Sequence, residues 1–280
     1  MKILIVLASV LMVSHCKEEC DVCPPTPKLY DELGCVGKKD AKGCCFERFE
    51  CPDLTKYDTK KCHLKGKSYS IKEKAPEEDL PLCMNHCRCM DVKGKAEFVC
   101  PKSECAGYKY TPEQIGCQHM FTENSCCSKP ICEKVERTTC EYNGKIYHEG
   151  TKFYPDDVPC HTCVCHKNFN ASLPMASNKF CRKIDCGLEL RFFNKIKDGC
   201  VPVYFQTSAC CPIDFKCPTE LDEFNRLPGR SKSGVMKKEK MCKYGNNTLL
   251  IGESLKTKKP CINCTCKQPP IVECIQTNYC

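Results

Sequence analysis

Cysteine content is the feature that most restricts how this chain folds. Of 280 residues, 33 are cysteine, about 12%, which exceeds the level of about 8–10% that marks disulfide scaffolds. Without those cysteines only about 29% of the chain is hydrophobic, which is too little for one large core. We therefore expect several small units stabilised mainly by disulfides, and the count argues against most intracellular enzymes.

The first 16 residues have the features of a secretory signal peptide. Lys2 precedes an apolar stretch at 3–13, which is within the usual length of about 7–15 residues and too short for a membrane span of about 20. Cleavage after Cys16 removes one of the 33 cysteines and leaves 32, an even number. Retention of Cys16 would leave a thiol for an intermolecular bond. We expect cleavage, and a mature protein that is secreted, extracellular and not anchored in a membrane.

Two cysteine patterns each occur three times. A four-cysteine element (Gly-Cys, an adjacent Cys pair and a closing Cys) occurs at 35–51, 117–132 and 200–217, and a six-cysteine element occurs at 62–105, 140–186 and 242–280. A repeat of this length indicates a tandem array. The predicted organisation is a signal peptide (1–16), a C-terminal half-unit (17–61, unit 1), two complete units (62–139, unit 2; 140–217, unit 3), a flexible basic linker (218–241) and an N-terminal half-unit (242–280, unit 4).

The cysteine numbers also suggest how the elements close. Because each element has an even number of cysteines, the six-cysteine and four-cysteine elements are predicted to be separate subdomains. Neighbouring cysteines such as Cys210 and Cys211 should bond to different partners, since a bridge between neighbours is strained. Six cysteines allow 15 pairings, so the connectivity stays open. Units 1 and 4 could complete one another, although even parity in both favours independent closure.

Unit 3 resembles the von Willebrand factor type C (VWC) module of secreted kielin-like and chordin-like proteins. The resemblance lies in the cysteine order together with Asn143-Gly144, Phe153 and Cys210-Cys211-Pro212. The cysteines that match are Cys140, Cys160, Cys163, Cys165, Cys181, Cys186, Cys200, Cys210, Cys211 and Cys217. Unit 2 is a looser copy, and units 1 and 4 are partial ones. The resemblance implies an elongated array of tandem, cysteine-knotted VWC-like modules.

Local patterns favour small β structures. Residues 140–142 and 145–147 flank Asn143-Gly144, a dipeptide suited to a type I′ hairpin turn, and 151–154 supplies another strand. The predicted fold class is therefore small and disulfide-rich, with mostly short antiparallel strands and many loops.

Positive charge is concentrated near the end of the chain. The formal net charge is +8, and residues 226–259 contain ten Lys or Arg against two Glu. In a secreted protein such a cluster favours sulfated glycosaminoglycan over nucleic acid as partner, whereas the alternative is a solvated linker surface. The candidate glycosaminoglycan-binding residues are Arg230, Lys232, Lys237, Lys238 and Lys240.

Metal, cofactor and catalytic functions are not predicted. The run from Cys160 to His166 has residue types and spacing that suit zinc in a reducing compartment, but thiols behind a signal peptide pair instead. Even parity leaves no free thiol as nucleophile, and no hydrolase signature is present. Asn170 and Asn246 begin sequons in polar segments and are predicted glycosylation sites, while a third sequon at Asn263 lies inside a cysteine knot, which disfavours modification there.

Two functional hypotheses remain. The VWC resemblance implies a secreted binding protein that modulates growth factors of the BMP/TGF-beta type. Its ligand contacts are predicted on exposed strands at the start of a unit, at Tyr142, Ile146 and Tyr147, or at 249–251 in unit 4. The alternative is a structural or defensive secreted protein: a matrix, secretion-fluid or venom component, or a protease inhibitor with Lys65 to Pro81 as its loop.

Overall fold

A computed structural model describes residues 23, 26–101, 105, 117–133, 136–206, 210–228, 241–256 and 261–277. The predicted signal peptide lies outside these residues. The described part is built mainly from short antiparallel strands, as predicted, with little helix. No helix in it is long and apolar enough to cross a bilayer.

The helices and strands are distributed along all four units. The α-helices of the described residues are α1 (Lys28–Glu32) and α2 (Leu188–Lys197), and short 3-10 helices occur at Leu54–Lys56, Glu77–Asp79 and Met175–Ser177. The strands of units 1 and 2 are β1 (Val36–Lys39), β2 (Phe46–Glu50), β3 (Cys62–Leu64), β4 (Lys67–Tyr69), β5 (Arg88–Val92), β6 (Lys95–Val99), β7 (Gln118–Met120) and β8 (Lys129–Ile131). Those of unit 3 are β9 (Thr139–Tyr142), β10 (Lys145–His148), β11 (Lys152–Phe153), β12 (His161–Val164), β13 (Cys181–Lys183), β14 (Val201–Phe205) and β15 (Asp214–Lys216). The remaining strands are β16 (Glu223–Asn225), β17 (Met241–Tyr244), β18 (Asn247–Leu250), β19 (Ser254–Lys256), β20 (Ile262–Thr265) and β21 (Glu273–Gln276).

The predicted hairpin at the start of unit 3 is confirmed. Strands β9 and β10 pair antiparallel with Tyr142 opposite Lys145. Asn143 and Gly144 have φ values of 48° and 72°, the left-handed conformations that a type I′ turn requires at both central positions. Hairpins β3–β4 and β17–β18 stand at the same place in units 2 and 4.

Fourteen disulfides join described cysteines, and Cys44 and Cys261 are disulfide-bonded as well. Unit 2 contains Cys62–Cys89, Cys83–Cys126, Cys87–Cys100, Cys105–Cys127 and Cys117–Cys132. Unit 3 repeats this order with Cys140–Cys165, Cys160–Cys210, Cys163–Cys181, Cys186–Cys211 and Cys200–Cys217. The half-units contain Cys23–Cys45, Cys35–Cys51, Cys242–Cys266 and Cys264–Cys274.

The prediction of separate six-cysteine and four-cysteine subdomains is wrong. In unit 3, Cys160 and Cys186 of the six-cysteine element bond to Cys210 and Cys211 of the four-cysteine element. Each complete unit is therefore one cross-linked body. The prediction that adjacent cysteines have different partners is confirmed at this same pair.

The largest sheet crosses the predicted unit boundaries. Its strand order is β15-β14-β21-β20-β19-β16, with β14 of unit 3 parallel to β21 of unit 4. Strand β16 falls within the predicted flexible linker but pairs with β19. The linker prediction is therefore wrong for this part, because apolar Phe224 packs against the core of unit 4 and the backbone of 223–225 is bonded into the sheet.

Units 1 and 4 pack against each other. The Tyr30 hydroxyl is buried, donates to the Gln268 carbonyl at 2.5 Å and accepts from the Ile271 N–H at 3.0 Å. The Phe49 N–H donates to the Pro269 carbonyl at 2.8 Å, and the Tyr30 and Phe49 rings stack at 4.3 Å. The described disulfides stay within each half-unit, but packing joins the two. The first and last units therefore do not lie at opposite ends of an elongated array.

Peptide mapping under non-reducing conditions tests the disulfide connectivity of unit 3. If the denatured, non-reduced protein is cleaved after Lys195 or Lys197, we expect residues 140–186 and 200–217 to remain one species in mass spectrometry, because two disulfides span the cut. Separation of these fragments before reduction would contradict the observed connectivity.

Substitution of Tyr30 tests the packing of the two half-units. We expect Tyr30→Phe to lower the free energy of unfolding by about 1–3 kcal/mol, because it leaves a buried carbonyl and a partly buried N–H without their partner. Guanidinium unfolding with intact disulfides measures the change. The control is Tyr154→Phe, whose side chain is 62% exposed and should have little effect; equal effects of the two variants would argue against the Tyr30 contacts.

Candidate functional site

The β9–β10 hairpin carries the three residues predicted to contact a ligand, and the structure gives them different environments. Ile146 is 71% exposed, Tyr147 is half-buried and Tyr142 is buried, with 7% of its surface exposed. Side chains alternate between the two faces of a strand, so Ile146 points to solvent where Tyr147 points inward. The expected exposure therefore holds for Ile146 but not for Tyr142.

Tyr142 and Tyr147 anchor the hairpin to the core of unit 3. The Tyr147 ring stacks on Phe153 at 4.3 Å, with 15° between the ring planes. Tyr142 lies beside Phe153 and Phe169. The Cys140–Cys165 disulfide joins the first strand of the hairpin to the segment after β12. Ile146 is thus presented on a hairpin whose opposite face is fixed by aromatic packing and a cross-link.

A hydrogen bond fixes the turn end of the same hairpin. The Tyr142 hydroxyl donates to both carboxylate oxygens of Asp157, at 2.8 and 2.9 Å. This bond holds the pKa of the exposed Asp157 carboxyl below its ordinary value. Burial and the neighbouring Asp157 charge raise the pKa of Tyr142. The alternation of apolar and polar residues predicted a strand here. The contact of Tyr142 with Asp157, 15 residues further along the chain, could not be predicted from the local sequence.

The second predicted contact patch, at 249–251 in unit 4, is only partly exposed. Leu249 is fully buried in the core of unit 4, and Ile251 is 40% exposed. The β17–β18 hairpin of unit 4 therefore offers less apolar surface than its counterpart in unit 3.

The predicted glycosaminoglycan-binding residues Arg230, Lys232, Lys237, Lys238 and Lys240 lie outside the described residues. Two flanking cations of the same cluster are paired within the fold. Arg226 bonds to the fully buried carboxylate of Glu253 at 2.9 Å, and Lys256 lies 3.1 Å from Glu223. These pairs attach the segment around β16 to unit 4, so their positive charge is partly neutralised there.

Cavities lie around helix α1, and the charged side chains that line them form ion pairs with one another. A cavity of about 620 Å³ is lined by Phe46, Phe49 and Tyr204 together with Asp31 and other residues of units 1, 3 and 4. The Asp31 carboxylate lies 2.6 Å from Lys28 and 2.7 Å from Lys183. Burial raises the pKa of Asp31, but the bonds from Lys183 and Lys28 outweigh it and lower that pKa overall.

The neighbouring Glu32 caps helix α2. Its carboxylate accepts the N–H groups of Cys186 at 2.6 Å and Leu188 at 2.9 Å. A carboxylate at this end of a helix satisfies unpaired donors and opposes the helix dipole. Burial raises the pKa of Glu32 despite these bonds. Helix α1 is thereby fixed to unit 3 by both of its acidic side chains.

The cysteines that come close enough together to hold a metal are oxidised. Cys105, Cys126 and Cys127 cluster in unit 2, and so do Cys186, Cys210 and Cys211 in unit 3. All six belong to disulfides, which leaves no thiolate to act as ligand. In the run considered for zinc, Cys160, Cys163 and Cys165 are also disulfide-bonded.

The sequon asparagines are accessible. Asn170 is exposed in a loop, and Asn246 is exposed in the turn of the β17–β18 hairpin. Asn263, expected to be hidden in its cysteine knot, is also exposed, and its side-chain oxygen accepts a hydrogen bond from the Thr265 hydroxyl at 3.1 Å. The buried member of that sequon is Cys264, because successive residues of β20 face opposite sides.

No family model matches this chain, and no solved structure matches it. The resemblance to VWC modules therefore depends on the order of the cysteines and on the few residues between them.

The Tyr142–Asp157 bond predicts an acid-sensitive hairpin. Because the pKa of Asp157 is lower in the folded state, its stabilising effect is complete above the ordinary aspartate pKa and is lost as the pH falls through the folded pKa. We expect amide-exchange protection of β9 and β10 to fall over that acid range in the wild type. In Tyr142→Phe this pH dependence should be reduced; an unchanged profile would show that the bond does not stabilise the hairpin.

Proposed function

We propose that this protein is a secreted extracellular binding protein, in which the β9–β10 hairpin of unit 3 contacts a protein ligand. The ligand class is that implied by the VWC resemblance, a growth factor of the BMP/TGF-beta type. The observation that carries the proposal is the 71% exposure of Ile146 on a hairpin held by disulfide and aromatic contacts.

Rigidity of the hairpin supports a binding role. Binding costs conformational entropy wherever side chains or loops must become ordered. Here the inward residues Tyr142 and Tyr147 are already fixed, so burial of Ile146 by a partner would order little additional chain. An apolar side chain on a fixed support is the arrangement typical of interface anchors.

The number of disulfides supports the extracellular location. Disulfides of this density form and persist in the secretory pathway and outside the cell, where thiols are not kept reduced. The fourteen described bridges involve residues from Cys23 to Cys274. Together with the predicted signal peptide, they favour secretion.

Substitution of Ile146 tests the proposed contact. We expect Ile146→Asp to weaken binding to the best ligand from a panel of BMP/TGF-beta growth factors by tenfold or more, because a charge would replace an apolar anchor. Surface plasmon resonance on the oxidised full chain measures the affinity. The matched control is Ile213→Asp, which alters another isoleucine of unit 3 that is 54% exposed.

Three outcomes would count against the proposal. Equal affinity of Ile146→Asp and wild type would remove the hairpin as contact surface, and equal losses in both variants would indicate a non-specific charge effect. Absence of binding across the panel would overturn the growth-factor assignment and favour the structural or inhibitory alternative.

A further inference from the structure

One face of the β11-β12-β13 sheet in unit 3 carries two cations that have no counterion among the described residues. In the register, Lys152 of β11 lies opposite Val164 of β12, and Arg182 of β13 lies opposite Thr162. Thr162 and Val164 are two residues apart, so all four side chains share one face. The other face carries Phe153, which is buried in the core of unit 3 together with two cysteines.

Both cations are half-buried, yet no carboxylate pairs with them among the described residues. Lys152 lies 4.2 Å from the centre of the Phe121 ring, a cation–π contact that supplies no full negative charge. Burial and the adjacent Arg182 lower the pKa of Lys152, and burial lowers the pKa of Arg182. By contrast, the exposed Lys183 of the same unit is paired with Asp31 at 2.7 Å.

A buried hydroxyl lies next to these cations. Thr162 is 7% exposed, and its Oγ1 is buried and lacks a hydrogen-bond partner in the described structure. Arg182 is its direct cross-strand neighbour on this face, and Lys152 is its diagonal neighbour. An unsatisfied buried hydroxyl is costly. Once the side chains that cover it move aside, it can donate to an oxyanion that also neutralises the two cations.

From this arrangement we propose that Lys152, Thr162 and Arg182 form a binding site for a sulfate ester of a sulfated glycosaminoglycan. The guanidinium of Arg182 offers a planar pair of donors, the ammonium of Lys152 a point charge and Thr162 a neutral donor. Tyr154 is two residues beyond Lys152 on the same face and 62% exposed, so its ring provides an apolar surface for a sugar next to the sulfate. The site is distinct from the basic segment at 230–240. It relies on the extracellular location proposed above, but not on a growth-factor ligand.

Affinity for a heparin-derived hexasaccharide tests the proposal. Titration calorimetry is carried out on the oxidised full chain in buffer without sulfate or phosphate, for wild type, K152Q/R182Q and the control K145Q/K167Q. The control removes the same charge from exposed lysines of unit 3. All three proteins also carry K232Q/K237Q/K238Q, so that the basic segment does not conceal the site.

We expect K152Q/R182Q to lose affinity by about tenfold or more, since each lost charged hydrogen bond is worth about a tenfold change, and the control to lose less than about threefold. Equal losses in both variants, or retained affinity in K152Q/R182Q, would overturn the proposal. Growth-factor binding is measured on the same proteins, so that failure of the anion site and failure of the proposed function are distinguished.

A second variant separates binding from folding. Thr162→Val removes the hydroxyl with little change of volume, and we expect weaker hexasaccharide binding with a melting temperature no lower than that of the wild type. Unchanged affinity would exclude the hydroxyl from the site. Displacement of the hexasaccharide by equimolar inorganic sulfate would show that the free ion is sufficient and would overturn the assignment to a polysaccharide.

Discussion

The bridges that reach from each six-cysteine element to the adjacent cysteine pair are the constraint on which the structure depends. In unit 3 they close separations of 50 and 25 residues, from Cys160 to Cys210 and from Cys186 to Cys211. In the chain-entropy model each such closure contributes about 3–4 kcal/mol by restricting the unfolded chain. Short strands with small cores can then persist, because much of the entropy cost of ordering has been removed covalently.

Non-covalent contacts join the units that the disulfides stabilise individually. Tyr30 joins units 1 and 4, Glu32 caps a helix of unit 3, and β14 pairs with β21 across the boundary between units 3 and 4. Each of these contacts uses a polar group or a strand edge that a single unit would leave unsatisfied. The repeated units therefore support one another. Ile146 and the Lys152–Arg182 face both belong to unit 3, which contacts unit 1 through Glu32 and unit 4 through β14.

Sequence predicted the local parts of this fold well. Cysteine spacing identified the repeats, and Asn143-Gly144 identified the hairpin, because both signals lie within a few residues of the structure they determine. Pairing of Cys160 with Cys210, or of β14 with β21, depends on contacts between distant residues that no spacing encodes. The candidate site shows the same division: alternation indicated that Tyr142 and Ile146 are in strands, but which of them faces solvent depends on Phe153 and Asp157. The cations of β11 and β13, which have no carboxylate partner in the described part of the chain, were likewise not visible before the register was known.

The parallel pairing of β14 with β21 affects how such an array can be rearranged. A chain ending at the last cysteine of unit 3 would keep all five disulfides of that unit, but the side of β14 that bonds β21 would be left without a neighbour. An open strand edge of this kind, formed here by the apolar run of 201–205, is a template for pairing with other chains. Recombination or truncation at this boundary would thus remove the β14–β21 pairing and favour self-association through the exposed edge. Units 3 and 4 are therefore better regarded as one structural unit than as two exchangeable modules.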